Sequence, residues 1–127
     1  MNSVKEWIEK ANRDLKLAKL AMENDIYDYA LFHCQQAVEK YLKAFLVKNN
    51  KPFRKKHDIF YLIDLCTNID EEFKSLLDLR LEILDRGIEV RYPSTFYPDE
   101  ELVEEAIEIA EKVKDFVLKK LKFEEVE

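Results

Sequence analysis

One glycine and three prolines in 127 residues leave little turn chemistry. Tight hairpins rely on Gly or Asn at positive φ and on Pro at fixed φ, so a sheet of many strands is excluded. The two cysteines, Cys34 and Cys66, lack further ligands at zinc spacing. Both lie in apolar patterns and read as small buried hydrophobes, not as metal ligands or a disulfide. No apolar run approaches the roughly 20 residues needed to cross a bilayer. The opening MNSVKEWIEK is charged from Lys5 and has no leader-like apolar stretch, so a soluble, cytoplasmic protein is expected. A basic excess is missing too. With a net charge of −6, no global field draws the chain to nucleic acid, which leaves room only for a local basic site.

What is present is helix-forming. Apolar residues make up 47% and charged residues 38%, enough for one core and incompatible with disorder. Leu, Lys, Glu, Ala, Asp and Ile dominate. Residues 1–127 read as a single domain with no linker or internal repeat. The first helix, about residues 3 to 23, opens on Ser3 with Glu6 three residues later, a capping box, and closes at Asn24-Asp25. The second, about 26 to 48, spreads apolar residues from Tyr27 to Leu46 over more than half its circumference. It is therefore expected to be packed on several sides, as the central helix. A short helix follows from Asp58 to about Cys66, and a longer one from Asp70 towards Gly87. Asp99 caps the last helix, where Leu102, Ala106, Ile109, Val113 and Phe116 alternate spacings of four and three. The fold class expected is all-α: an up-and-down bundle of four long helices plus one short helix.

Polar residues fall in unusual places. His33, Gln36, Lys40 and Lys43 form a row down one side of the second helix, whereas Gln35 projects into its apolar arc. A buried glutamine needs hydrogen-bond partners. It either fixes register against another helix or lines a polar cleft with Glu39 and Lys43. Asp14 sits between Ala11, Leu15 and Ala18, either solvated or paired with Lys40 or Lys43. The loop KPFRKKH gathers Lys51, Arg54, Lys55, Lys56 and His57 just before a helix. Such a cluster serves solubility or binds phosphate, with the helix N-terminus adding its N–H groups. His57 is a general acid/base candidate or a capping histidine. In Arg91-Tyr92-Pro93, Arg91 can fork to an anion while Tyr92 stacks on a base. The alternative has Tyr92 plugging the bundle end and Arg91 capping carbonyls.

Taken in order, these pieces resemble a HEPN domain. The resemblance rests on Asp14-Leu15 with Ala18, then Tyr29-Ala30 and Gln35-Gln36-Ala37-Val38-Glu39-Lys40 with Lys43-Ala44. His57-Asp58-Ile59 with Leu62 and the Arg91-Tyr92-Pro93 turn complete it. It implies a helical bundle, commonly a homodimer, associated with nucleotide or RNA and often paired with a minimal nucleotidyltransferase in a toxin-antitoxin system. No cofactor or metal is implied. The ribonuclease branch uses Arg, four to six residues, then His. Here Arg91 matches the arginine, but Thr95, Phe96, Tyr97 and Pro98 follow it and no histidine does. Tyr97 has about the right spacing, yet a phenol with pKa about 10 is a poor general base near neutrality.

Three functions are carried forward. One is a nucleotide-binding protein or nucleotidyltransferase partner, with Arg91, Tyr92, Arg54, Lys56, His57, Lys40 and Lys43 as ligand-binding residues. This reading leans away from an enzyme. The second is a metal-independent ribonuclease toxin with a degenerate site using Arg91 with His57 or Tyr97. The third is a non-catalytic helical dimer acting as a scaffold through its last helix.

Overall fold

The computed structural model describes residues 3–93 and 96–122, with Arg91 described in its backbone only. Helix α1 spans Val4–Glu23, α2 Tyr27–Lys48, α3 Ile59–Ile69, α4 Glu82–Asp85 and α5 Glu100–Leu121. A 3-10 segment, Glu71–Asp78, lies between α3 and α4, and a 3-10 turn, Glu89–Arg91, follows α4. No strand occurs among the described residues, as the all-α expectation requires.

The near-absence of glycine shows at the helix ends. After α1, Asp25 takes φ 61°. Its N–H donates to Met22 O at 3.0 Å, and that of Ile26 donates to Ala21 O at 2.8 Å. These are the paired bonds of a Schellman motif, with an aspartate in the left-handed position that glycine usually fills. The end of α2 repeats the device. Asn50 takes φ 54°, its N–H donates to Val47 O, and that of Lys51 donates to Leu46 O. Asx side chains tolerate this region because their short polar groups bond locally. The starts are capped as the sequence indicates. Ser3 and Glu6 form the capping box, while Asp58, Asp70 and Asp99 accept from Tyr61, Glu72 and Leu102 N–H groups.

Helix α2 is the centre. Ala30, Leu31, Cys34, Ala37, Val38, Tyr41, Leu42, Ala44, Phe45 and Leu46 are all buried. They are covered by α1, α5, α3, α4 and the 3-10 turn after α4. The four-three seam of α5 (Ala106, Ile109, Val113 and neighbours) is buried inside this bundle, which leaves it unavailable as an external interface. Both thiols are pushed up to about 12, chiefly by burial, as inert core cysteines.

The stretch from Asp70 to Gly87 differs from the continuous helix expected. Phe73 and Leu76 are buried and Leu79 half-buried, an every-third pattern that fits a 3-10 turn of three residues. Leu79 is then extended, at ψ 154°, and breaks the run before α4. The chain turns there so that Gly87 can rest on α2. A Cβ at Gly87 would lie 2.9 Å from Leu31 O and 3.1 Å from the Gln35 Cβ. The only glycine is thus set against the helix that bears the polar residues.

Candidate functional site: a buried carboxylate beneath a basic cleft

Gln35 is fully buried and Glu39 is 2% exposed, one helical turn apart on α2. The amide Nε2 of Gln35 donates to Glu39 Oε2 at 2.6 Å, and Gln36 Nε2 donates to Gln35 Oε1 at 2.7 Å. Lys43, one turn further, places Nζ 2.9 Å from Glu39 Oε1. From the loop before α3, His57 brings Nδ1 to 3.0 Å from Glu39 Oε2. Both bonds of Gln35 stay within α2 and it is closed off together with Glu39, so of the three residues read as a polar cleft lining only Lys43 reaches a cleft surface.

The electrostatics follow from the donors. Burial alone would raise the Glu39 pKa, but hydrogen bonds from Lys43, His57 and Gln35, with the Lys43 charge, reverse this and hold the carboxyl below its usual range. Because an ionised carboxylate only accepts, Nδ1 of His57 must carry the bridging proton. In a neutral ring this leaves the lone pair on Nε2. The His57 side chain is 47% exposed while Glu39 is closed off, so the imidazole edge away from Glu39 faces outward.

His57 lines a cleft of about 730 Å³. Trp7 and Phe53 form an aromatic wall, their rings 6.1 Å apart and edge-on. Lys43 Nζ lies 5.6 Å from the Trp7 ring centre and 5.5 Å from that of Phe53, within cation–π range. Lys51, Lys55 and Lys56 add ammonium groups around the mouth. The Schellman turn at Asn50 creates this recess by folding Lys51-Pro52-Phe53 back beside Val47. The Trp7 indole N–H is buried with no acceptor among the described residues, at a cost of about 1–3 kcal/mol. Sequence reasoning missed Trp7 and Phe53. Trp7 lies on the apolar stripe of α1 and carries no polar pattern to separate it from core.

The remaining residues of interest distribute as follows. Lys40 bonds Asp14 at 2.5 Å, and His33 Nδ1 meets the same carboxyl at 2.9 Å. That confirms an Asp14–Lys40 pairing and turns Lys40 towards α1, outside the cleft lining. Arg54 rests on the Tyr61 ring at 5.5 Å, beside the cleft, and Lys56 does the same at 4.9 Å. The helix N-terminus expected to help bind phosphate is occupied by the chain's own Asp58 carboxylate, which accepts from Tyr61 N–H at 3.1 Å. Tyr92 and Tyr97 belong to a separate recess of about 270 Å³ with Asp28 and Tyr29 at the start of α2. About 15 Å of helix separates Tyr29 from Glu39 at 1.5 Å per residue. Tyr97 and His57 line different recesses. The Arg91 backbone forms the turn beside that recess. Its side chain, together with Ser94 and Thr95, lies outside the described residues. No group of three or more metal-ligating side chains occurs among the described residues, and no described helix is long and apolar enough to cross a membrane.

Comparison with known proteins places this geometry in a family. The model of the HEPN domain matches residues 4–121. A protein of Methanocaldococcus jannaschii named "Putative toxin MJ1304" is 25% identical, the match covering 91% of this chain and 89% of that one. Among solved structures, ST0689, described as an archaeal HEPN homologue, superposes with a TM-score of 0.73 at 28% identity, covering 95% of this chain and 99% of that one. TT1696 from Thermus thermophilus gives 0.77 at 27% identity over 94% and 99%. The match runs from the first residue of α1 to the last of α5 and includes every element that builds the cleft. The chain belongs to the HEPN domain family.

Proposed function

We propose that this chain is a nucleotide-binding HEPN protein of toxin type, its ligand held in the cleft above Glu39. One observation carries the reading: an aromatic wall and a rim of lysines meet in a single recess floored by a buried, fully engaged carboxylate. A base stacks on an apolar ring face for about 1–3 kcal/mol, and ammonium groups take the phosphate as point charges. The named toxin among its relatives supports the toxin-type role. A minimal nucleotidyltransferase partner and a homodimer belong to the same proposal. Leu17 and Leu20 lie half-exposed on the outer face of α1, where a second copy could pack. Sedimentation velocity reads that association directly.

Trp7 is the only tryptophan and lines the cleft, so its fluorescence reports occupancy. Titration with AMP, ADP, ATP and a short oligoribonucleotide should shift its emission and give matching heats by calorimetry. Replacing Lys51, Lys55 and Lys56 together with Ala should weaken binding on the order of a hundredfold, from three lost phosphate contacts. Unchanged emission and no heat with every nucleotide would refute the reading.

A second reading, ribonuclease activity, has one observation in its favour: the Glu39–His57 pair fixes the proton on Nδ1, as a general base requires. Expression of the chain should then arrest growth, and His57→Gln should relieve the arrest at equal protein level.

A further inference from the structure

We propose that His57 is the cleft's contact for a terminal phosphate monoester and that the phosphate binds together with a proton carried on His57 Nε2. This deepens the nucleotide-binding reading and rests on it. The geometry supplies three parts. Glu39 Oε2 fixes the Nδ1–H end of the ring at 3.0 Å, so the imidazole cannot turn its lone pair inward. His57 lines the basic cleft with Lys43, Lys55 and Lys56, and it also borders a smaller recess with Asp58, Asp85 and Glu89. The Glu39 carboxylate behind the ring is held ionised, so a proton brought to Nε2 with the phosphate would sit between a fixed anion and the ligand's own charge.

The chemistry selects the ligand. A phosphate monoester exchanges its second proton near pH 6, close to the range where an unperturbed imidazole titrates. The dianion can therefore accept a charge-assisted hydrogen bond from Nε2–H while the lysines balance its remaining charge. A phosphodiester has a single charge and no proton to exchange in this range. The cleft should thus prefer the terminal phosphate of a mononucleotide, or the 5′-phosphate of an oligonucleotide, over an internal linkage. The proton comes from solvent, and no bond to phosphorus is made or broken.

The other groups around the ring do not reproduce this signature. From α2 they are Glu39, held ionised, and Lys43; from the ring's own loop, Lys51, Lys55, Lys56 and Asp58. Asp85 and Glu89 share with His57 and Asp58 the lining of a neighbouring recess. Lysines and ordinary carboxylates titrate well outside the neutral range. Asp85 is raised, by burial and then by the charges of Asp58 and Glu82, which makes it the rival to exclude.

The test is Trp7 fluorescence and calorimetry with AMP, adenosine, the dinucleoside phosphate ApA and its 5′-phosphorylated form pApA, in buffers of differing ionisation enthalpy. AMP and pApA should bind alike, and ApA on the order of tenfold more weakly, reflecting the loss of one charge-assisted bond. Affinity for AMP should fall on the order of tenfold from about pH 6.5 to about pH 8.5, with proton uptake visible in the buffer-dependent heats. In His57→Gln, an exposed replacement that leaves the core intact, the pH slope and the proton uptake should vanish while AMP still binds. Asp85→Asn should retain both. If AMP binds but the slope survives in His57→Gln or is lost in Asp85→Asn, the proton-coupled contact is overturned and the nucleotide reading stands. Equal affinities for ApA and pApA overturn it as well. If neither AMP nor either dinucleotide binds, both fall together.

Discussion

At Glu39 four donors converge on two oxygens: Gln35, Gln36 and His57 at Oε2, and Lys43 at Oε1. A carboxylate has about four lone-pair sites and so can satisfy them. A glutamine there has one acceptor oxygen, and its NH₂ must face at least one of the donors. The Lys43 ammonium, 13% exposed, would also lose its counter-charge. Glu39→Gln should therefore cost about 3–5 kcal/mol, the range for a broken buried pair, read as a lower urea midpoint with unchanged slope. The pH dependence has a definite sign. The folded Glu39 pKa is depressed, so its stabilisation is full above the unfolded carboxylate range, about pH 4.3, and is lost as pH falls through the lower folded value. The stability gap between wild type and Glu39→Gln should accordingly be widest near neutrality and close in acid. A gap that stays constant down to about pH 3 would show that the Glu39 charge is not what the donors stabilise.

At the scale of elements, the turn carrying Gly87 sets how closely the segment after α4 approaches α2. An added methyl would meet Leu31 O and Leu84 O, both backbone atoms, at 2.9 and 3.0 Å. Gly87→Ala should destabilise by about 1–3 kcal/mol through overpacking, despite the better helix propensity of Ala. Thermal unfolding checks this. A neutral or stabilising outcome would mean that the contact relaxes freely. The same comparison explains what the sequence made legible. Helices α1, α2, α3 and α5 follow from strong 3.6-residue patterns and from Ser3, Asp58 and Asp99, because caps and periodicity are local signals. The Asp70–Gly87 stretch was not legible as two pieces. Its leucines satisfy both a three-residue and a mixed three-four spacing, and only contact with α2 selects between them. Around the cleft, Gln35 stood out because an amide in an apolar arc needs partners, which drew in Glu39 and Lys43, while His57 stood out through the basic loop that carries it. Trp7 and Phe53 did not, because an aromatic lining a cleft has the same pattern as one filling a core. The separation of Tyr92 and Tyr97 from His57 is a tertiary distance that no spacing along the chain encodes.

The whole molecule is electrically divided along α2. Asp25 and Asp28 lie at its start, and Glu100 and Glu104 of α5 are close enough to push the Tyr27 phenol upward, after the hydrogen bond from that phenol to Asp25. The opposite end carries the lysines of the 51–56 loop, and Lys120 of α5 is held there by Asp70 and Glu72. A 22-residue helix is about 33 Å long, so the two ends are several Debye lengths apart at about 0.1 M salt, where that length is about 10 Å. Under the proposed function, an anionic nucleotide approaching the cleft would meet two opposing fields of different range. At about 0.01 M salt, with a Debye length near 30 Å, it feels the acidic end and the net charge of −6 together with the lysines. Raising salt to about 0.05 M screens the distant repulsion first and leaves the contact attraction largely intact. Beyond about 0.15 M the contact charges are screened as well and binding weakens. The expected dependence of AMP affinity on salt is therefore flat or slightly rising at first and falling only later. A uniformly basic surface would instead give a monotonic fall. Calorimetry across this range distinguishes the two. A steep fall from the lowest salt onward would mean that the acidic end exerts no field at the cleft. Replacing Glu100 and Glu104 with Gln should convert the flat opening of the curve into such a fall while leaving affinity above about 0.15 M unchanged.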